Sequence, residues 1–255
     1  MEIENKVIVI TGGAGGIGQS LAERFVYEKA KVAIVLDINF DNFDSEDNKL
    51  ISKVCDVTDE KELTRIIDEI NDEFGLIDIF CSNAGILSLG NEQTSREDWN
   101  KNWNLHVMSH VFAAKKLIPK MLKRGSGYFV NTSSAAGLLS HIDSVTYSTT
   151  KHAAIGFAEW IAITYGNKGI GVSILCPQAV ETAMTKGREN EVSALDGMMK
   201  SEDVALDVIK AIKEGVFLIS PHDQVLGYYQ NKANNYSRWI GGMQKLRQKL
   251  KSKIL

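Results

Sequence analysis

Residues 11–18 read Thr-Gly-Gly-Ala-Gly-Gly-Ile-Gly and directly follow the apolar run 6–10, Lys-Val-Ile-Val-Ile. The β-branched residues of 6–10 predict a buried strand, and the stretch 17–29 has the apolar spacing of a helix. Glycine accepts backbone conformations that other residues avoid, so the segment between the two can form a tight turn. A strand, a glycine-rich turn and a helix in this order predict an α/β fold.

The same alternation continues outward from this unit along the chain. Short apolar runs predict six more strands, at 31–36, 51–55, 77–81, 127–132, 170–176 and 216–219. Longer stretches of helical period predict helices at about 59–73, 96–123, 147–166 and 202–214. Because the strands are apolar with little alternation, both faces of their sheet are expected to be covered. The sequence therefore predicts a doubly wound, Rossmann-type parallel sheet of about seven strands with helices on both faces.

Composition and charge exclude several classes of protein. The 255 residues are 44% hydrophobic and 24% charged, and no Pro/Gly/Ser-rich linker divides them, which predicts a single domain over 1–255. A net charge of −3 leaves no excess of positive charge of the kind that binds nucleic acid. No apolar run reaches the ~18 residues that a membrane span needs, and the first residues do not have the pattern of a secretory signal. We expect a cytoplasmic protein without a membrane span.

The spacing of cysteines and histidines predicts no metal site. Cys55, Cys81 and Cys176 are far apart and each closes an apolar run, which favours buried, reduced thiols. His106 and His110 lie four residues apart in a predicted helix, but neither a carboxylate nor a third ligand accompanies them.

The glycine turn predicts a dinucleotide-binding site because of its surroundings. Glycines let the backbone approach a pyrophosphate, which then lies against the amide groups of the following helix. Asp37, which closes the second predicted strand, can accept hydrogen bonds from the adenosine ribose and would repel a 2′-phosphate. Ile38 adds no positive charge beside it. The loop that follows contains four acids, Asp41, Asp44, Glu46 and Asp47, and no Lys or Arg before Lys49. These residues favour NAD over NADP.

Tyr147 and Lys151 place a phenol and an ammonium one helical turn apart on the same face. The spacing alone means little, because Tyr27 with Lys31 and Tyr228 with Lys232 match it as well. Only Tyr147 comes thirteen residues after Ser134, which lies in a serine-rich loop after the fifth predicted strand. Location therefore favours this pair as the catalytic one.

Taken together, these segments resemble the short-chain dehydrogenase/reductase family over about residues 5–220. Seven motifs occur in the order that the family has. They are the turn at 11–18, Asp56-Val57, Asn83-Ala84-Gly85, Asn104, Ser134, Tyr147-x-x-x-Lys151, and the segment from Pro177 to Thr182. Two departures are Ser82 before Asn83, where a second asparagine is usual, and Gln178, where a glycine is usual.

The resemblance implies a role for each matched residue. Tyr147 would be the acid/base, Ser134 would bind the substrate oxygen, and Lys151 would lower the phenol pKa and bind the nicotinamide ribose. Asn104 would hold a relay water, although a polar kink in a long helix stays open as its alternative. Cofactor contacts would come from Gly12, Gly16, Ile17, Gly18, Asp37, Asp56, Val57, Asn83, Ala84, Gly85, Tyr147, Lys151, Pro177, Val180 and Thr182.

The resulting prediction is an NAD-dependent oxidoreductase that acts on a secondary alcohol/ketone pair, with a rather apolar small molecule as substrate. A catalytically idle dinucleotide-binding sensor or scaffold of the same fold stays open as the alternative. Sugar epimerases and dehydratases that share Tyr-x-x-x-Lys are usually longer, with a further substrate domain.

The tail 223–255 lies beyond the stretch that resembles the family. From Arg238 onward it contains six basic residues and no acidic one, and apolar residues recur at helical spacing, namely Trp239, Ile240, Met243, Leu246 and Leu250. We expect a basic amphipathic helix that docks over the substrate pocket or across a subunit contact. A solvated helix and a membrane-surface helix are the alternatives. The family resemblance implies a homodimer or homotetramer.

Overall fold

The computed structural model describes residues 1–41, 43, 47–188 and 191–251. Its strands form one sheet in the order β3-β2-β1-β4-β5-β6-β7, and every neighbouring pair is parallel. The strands are β1 (Val7–Thr11), β2 (Val32–Asp37), β3 (Leu50–Val54), β4 (Ile79–Ser82), β5 (Gly127–Thr132), β6 (Ile170–Leu175) and β7 (Leu218–Ile219). The predicted doubly wound sheet is confirmed. Asp44 and Glu46 of the loop after β2, and Lys253, one of the six basic residues of the tail, lie outside the described residues.

Helices cover both faces of this sheet. They are α1 (Gly16–Tyr27), α2 (Glu60–Phe74), α3 (Arg96–Trp103), α4 (Ser109–Arg124), α5 (Ala135–Leu139), α6 (Val145–Tyr165), α7 (Ser201–Glu214), α8 (Asp223–Asn234) and α9 (Tyr236–Lys251). Successive strand side chains point to opposite faces, so Ile8 packs in a core with α1 and α7, and Val9 packs in a core with α2, α4 and α6. No described helix is long and apolar enough to span a membrane.

The predicted helix 96–123 is not continuous. It ends as α3 at Trp103, passes through a π-helical turn at Asn104–Met108, and resumes as α4 at Ser109. A π-helical turn changes which side chains face a given neighbour. The prediction also missed α5, a five-residue helix that begins directly after Ser134.

The order of the strands places a crevice between β1 and β4. The chain leaves β1 toward β2 on one side, and β4 adds to the other side of β1. In sheets of this kind, ligands bind at such a reversal, beyond the carboxyl ends of the strands. The turn after β1 and the loops after β4, β5 and β6 therefore meet at one edge.

Candidate active site

Close packing explains the glycines of the turn after β1. Gly12 has a φ of +64°, and a Cβ atom there would stand 2.7 Å from the Cα of Ala84, in the loop after β4. A Cβ at Gly18 would stand 2.1 Å from the carbonyl oxygen of Gly12. A Cβ at Gly15, in contrast, would meet nothing within 4 Å. The turn is thus tightly packed on the protein side and open on its outer side, where a pyrophosphate fits.

Thr11 and Asn83 join the ends of three strands. The Thr11 hydroxyl accepts hydrogen bonds from the backbone amides of Asn83 and Ala84, at 2.9 and 3.0 Å. The Asn83 amide donates to the Thr11 carbonyl at 3.2 Å, and its Oδ1 accepts from the Thr132 hydroxyl at 3.2 Å. The Asn83 side chain therefore holds the crevice in shape.

Asp37, at the end of β2, is half-buried beside the glycine turn. Its Oδ2 accepts a hydrogen bond from the Ala14 backbone amide at 3.0 Å, and its Oδ1 accepts from the Ile38 amide at 2.8 Å. The Ile38 side chain is exposed. The carboxylate thus fixes the glycine turn and keeps acceptor capacity toward the crevice.

A cavity of about 660 Å³, the crevice cavity, runs from Asp37 to Lys151. Most residues that the family resemblance assigned to the cofactor line it. They are Gly12, Gly16, Ile17, Asp37, Asp56, Val57, Asn83, Ala84, Gly85, Tyr147, Lys151, Pro177, Val180 and Thr182. Gly18 is buried beneath the turn, so it permits the close packing and does not line the cavity.

Lys151 and Tyr147 lie at the inner end of the crevice cavity. The buried Lys151 ammonium donates to the Thr132 carbonyl at 2.9 Å and lies 5.5 Å from the centre of the Tyr147 ring. Burial lowers the pKa of Lys151 to about 8. Burial also raises the pKa of Tyr147, and a hydrogen bond with Ser134 acts in the opposite direction. The hydroxyl of Ser144 caps α6 by accepting the Tyr147 amide at 3.1 Å, which fixes Tyr147 in the first turn.

Ser134 lies between the ends of β5 and β6. Its hydroxyl accepts a hydrogen bond from the Ala136 amide at 3.1 Å, which caps α5, and donates to the Pro177 carbonyl at 3.3 Å. The serine is thereby fixed beside Tyr147 at the inner end of the crevice cavity.

Two histidine rings flank Tyr147. The rings of His106 and His141 meet it edge to face, with centroids 5.6 and 6.2 Å away. His106 Nε2 accepts the Ile86 amide at 3.1 Å, and Nδ1 lies 2.9 Å from the Thr150 hydroxyl. Burial lowers the pKa of both histidines, so both rings are neutral at pH 7. In the sequence, His106 stands out only as half of a histidine pair that lacks further metal ligands, because the buried turn that carries it has no recognisable pattern.

The structure does not bring Asn104 to Ser134, Tyr147 and Lys151, the other three residues to which the family resemblance gives a catalytic role. Asn104 is exposed and does not line the crevice cavity, whereas His106 is fully buried beside Lys151. Residues 104 and 106 are two positions apart in a helical turn, so their side chains point to nearly opposite sides. Ser134, Tyr147 and Lys151 line the inner end of the crevice cavity together, whereas Asn104 faces solvent.

A second cavity of about 770 Å³, the tail cavity, adjoins the first. The tail cavity lies between α5, residues 192–196, α8 and α9, and it shares Ser134 and Gln178 with the crevice cavity. The Gln178 amide donates to Asp196 Oδ2 at 3.0 Å. The side chain that departs from the family pattern therefore forms part of the boundary between the two cavities.

The tail is anchored by Lys232 of α8. Its buried ammonium donates to the Leu138 carbonyl at the end of α5 at 2.5 Å and lies 3.4 Å from Nε2 of His152. The Tyr228 hydroxyl donates to Asp196 Oδ1 at 3.0 Å. Tyr228 and Lys232, which match the Tyr-x-x-x-Lys spacing, therefore hold the tail against the rest of the protein.

The glycine turn lies at the reversal of a parallel sheet, and an acid follows at the end of β2. A serine, a tyrosine and a lysine lie at the inner end of the same cavity. This arrangement defines a Rossmann-type oxidoreductase. Comparison with known proteins agrees. The sequence profile described as "short chain dehydrogenase" matches residues 6–193. The chain belongs to the short-chain dehydrogenase/reductase family.

Individual relatives support the same assignment. The chain is 30% identical over 218 residues to a meso-2,3-butanediol dehydrogenase of Serratia marcescens, which covers 80% of this chain and 86% of the relative. It is 35% identical over 190 residues to the "Dehydrogenase/reductase SDR family member 6" of Rattus norvegicus, covering 73% and 76%. In fold, it is similar to a short-chain dehydrogenase/reductase from Burkholderia phymatum solved in complex with NAD, with a TM-score of 0.85, 24% identity, and 93% and 96% of the two chains covered.

Proposed function

We propose that this oxidoreductase transfers a hydride between NAD and a secondary alcohol/ketone pair. The observation that carries the proposal is that Ser134, Tyr147 and Lys151 lie together at the inner end of a cavity whose other end is lined by Asp37. The open space beside Gly15 and the carboxylate of Asp37 fit a dinucleotide without a 2′-phosphate. When bound, the dinucleotide supplies the hydride donor or acceptor at its nicotinamide ring.

In this proposal the chain's own residues orient the substrate and move its proton. Ser134 donates a hydrogen bond to the substrate oxygen, and the Tyr147 phenol protonates that oxygen during reduction or accepts its proton during oxidation. Burial raises the pKa of the Tyr147 phenol. A positive charge close to a phenol favours its ionised form, and the Lys151 ammonium lies 5.5 Å from the ring centre. His106 and His141 fix the tyrosine ring from two sides without adding charge.

The names of the relatives support an alcohol or carbonyl substrate but not one particular molecule. One relative is described as a meso-2,3-butanediol dehydrogenase, and another, 29% identical over 203 residues, as a levodione reductase from Leifsonia aquatica. We transfer only the shared element, an alcohol/ketone pair, to this chain.

The test is the change in absorbance at 340 nm with a panel of secondary alcohols and ketones, in both directions. We expect turnover with NAD, and a fall in kcat of ~10²–10⁴-fold in Tyr147→Phe with dinucleotide binding nearly unchanged. Tyr27→Phe, which removes an exposed phenol from another tyrosine–lysine pair of the same spacing, is the matched control and should retain full activity. NAD binding without turnover of any pair would instead support the idle sensor.

A further inference from the structure

The tail cavity touches the reacting end of the crevice cavity. Ser134 and Gln178 line both, so a molecule that fills the tail cavity reaches the serine that binds the substrate oxygen. At about 770 Å³ the tail cavity has the size of sites that enclose a drug-sized ligand.

The tail cavity is lined largely by apolar side chains. Leu139 and Ile142 come from α5 and the loop after it, Leu195 comes from the loop before α7, and Trp239 and Met243 come from α9. Such a lining favours a substrate with an extended hydrocarbon body.

One charge on this lining has no partner among the described residues. The lining carries two charged side chains, those of Asp196 and Arg238. The carboxylate of Asp196 is held by two neutral donors, since one oxygen accepts a hydrogen bond from Gln178 and the other from Tyr228. Arg238, in the first turn of α9, forms no ion pair within the part of the chain that the structure describes.

The surrounding sequence increases the positive potential. Residues 224–255 contain no Asp or Glu, and Arg238 lies at the start of their basic helix. Because the charged residues of α9 are all basic, this helix attracts anionic ligands and raises their local concentration. The guanidinium group in particular matches the two oxygens of a carboxylate.

We propose that the substrate is an amphipathic hydroxy or oxo carboxylic acid, whose apolar body fills the tail cavity and whose carboxylate binds Arg238. This inference rests on the proposed function for the oxidised or reduced end of the molecule. The alcohol carbon lies at Ser134, and the acid lies at the α9 end of the cavity. The carboxylate takes no part in the redox step, in which the alcohol loses a hydride to NAD and a proton to Tyr147.

Binding is tested without chemistry by isothermal titration calorimetry of the full chain with octanoate and with octanamide, which has the same body and no charge. We expect octanoate to bind at least about tenfold more tightly. Arg238→Gln should remove this preference, and Arg238→Lys should retain part of it. Arg247→Gln is the matched control, because Arg247 is exposed on the same helix and does not line the tail cavity. Equal binding of the two probes, or an equal loss in Arg247→Gln, would overturn the inference.

Turnover is measured separately with (ω−1)-hydroxy fatty acids of eight, ten and twelve carbons and their primary amides. We expect kcat/KM to be at least about tenfold higher for the acids than for the amides, with the whole difference in KM. Arg238→Gln should abolish this preference for the acids. Oxidation of acids and amides at the same rate would reject the carboxylate site and leave the proposed function standing. Selective binding of octanoate through Arg238, with no oxidation of any alcohol, would support the site and reject the proposed function.

Discussion

The rings of His106 and Tyr147 meet edge to face with their centroids 5.6 Å apart, and the same histidine accepts a hydrogen bond from the Ile86 backbone amide. One neutral ring therefore fixes the proposed acid/base and the loop after β4. We infer that His106 is a positioning residue that acts through Tyr147.

The first prediction concerns His106→Leu. Loss of the ring contact and of the acceptor for Ile86 should lower kcat about 10–100-fold, and the pH at which oxidation reaches half its maximum should shift. Steady-state kinetics across pH checks both. His110→Leu is the control, because His110 is buried and both its ring nitrogens lack a partner among the described residues. That variant should keep its activity and gain stability. Normal kinetics in His106→Leu would contradict the positioning role.

The second prediction is the choice of cofactor. A 2′-phosphate would meet the Asp37 carboxylate with no cation beside it, so NAD should be preferred at least about tenfold in kcat/KM, or ~1.4 kcal/mol. Asp37→Ser combined with Ile38→Arg supplies a guanidinium and should move the preference toward NADP. Asp37→Ser alone serves as the comparison, since it removes the repulsion without adding a cation. Equal activity of the unaltered protein with NAD and NADP would refute this prediction.

The third prediction links Lys151 to stability. Its pKa is lowered to about 8 from an ordinary 10.5, so holding the proton in the folded protein costs roughly 3 kcal/mol at neutral pH. Lys151→Met removes that cost and leaves the Thr132 carbonyl without its donor, so the apo-protein should gain about 2 kcal/mol in free energy of unfolding at pH 7 while activity is lost.

The pH dependence of that difference has a definite sign. Between pH 8 and 10.5 the unfolded chain holds the lysine proton and the folded chain has released it. Stability of the unaltered protein therefore rises relative to Lys151→Met across this interval and is constant, as far as this group is concerned, below it. Urea unfolding at several pH values without dinucleotide measures the difference. A Lys151→Met protein less stable at pH 7 would show that the ammonium stabilises the fold.

The fourth prediction concerns the tail. Truncation after Asn235 removes α9, and with it Trp239, Met243 and Leu246 from the lining of the tail cavity. The KM for apolar substrates should rise at least about tenfold, or the oligomer mass should change, while the KM for NAD stays the same. Sedimentation and kinetics of the truncated and full chains provide the check. Co-pelleting of the full chain with anionic vesicles would favour the membrane-surface alternative.

The sheet and most of the candidate site could be predicted from the sequence because their signals are local. Buried parallel strands require continuous apolar runs, and the close approach of Gly12 to Ala84 requires glycine. Asn104 and His106 could not be told apart in this way. Which of the two residues faces Lys151 depends on a π-helical turn, and no pattern of residues in the sequence predicts that turn. The short helix α5 was missed because Ala135–Leu139 is too brief to show a period.

The division of the binding region into two cavities bears on how such a chain can diverge. Among the described residues, the two cavities have only Ser134 and Gln178 in common. Under the proposed function, substitutions of the tail-cavity residues in 192–196 and 228–246 can therefore change which alcohol is accepted without altering the crevice cavity. In a gene lineage, new substrate preferences could then arise by drift in the last quarter of the chain, without passing through forms that have lost their cofactor.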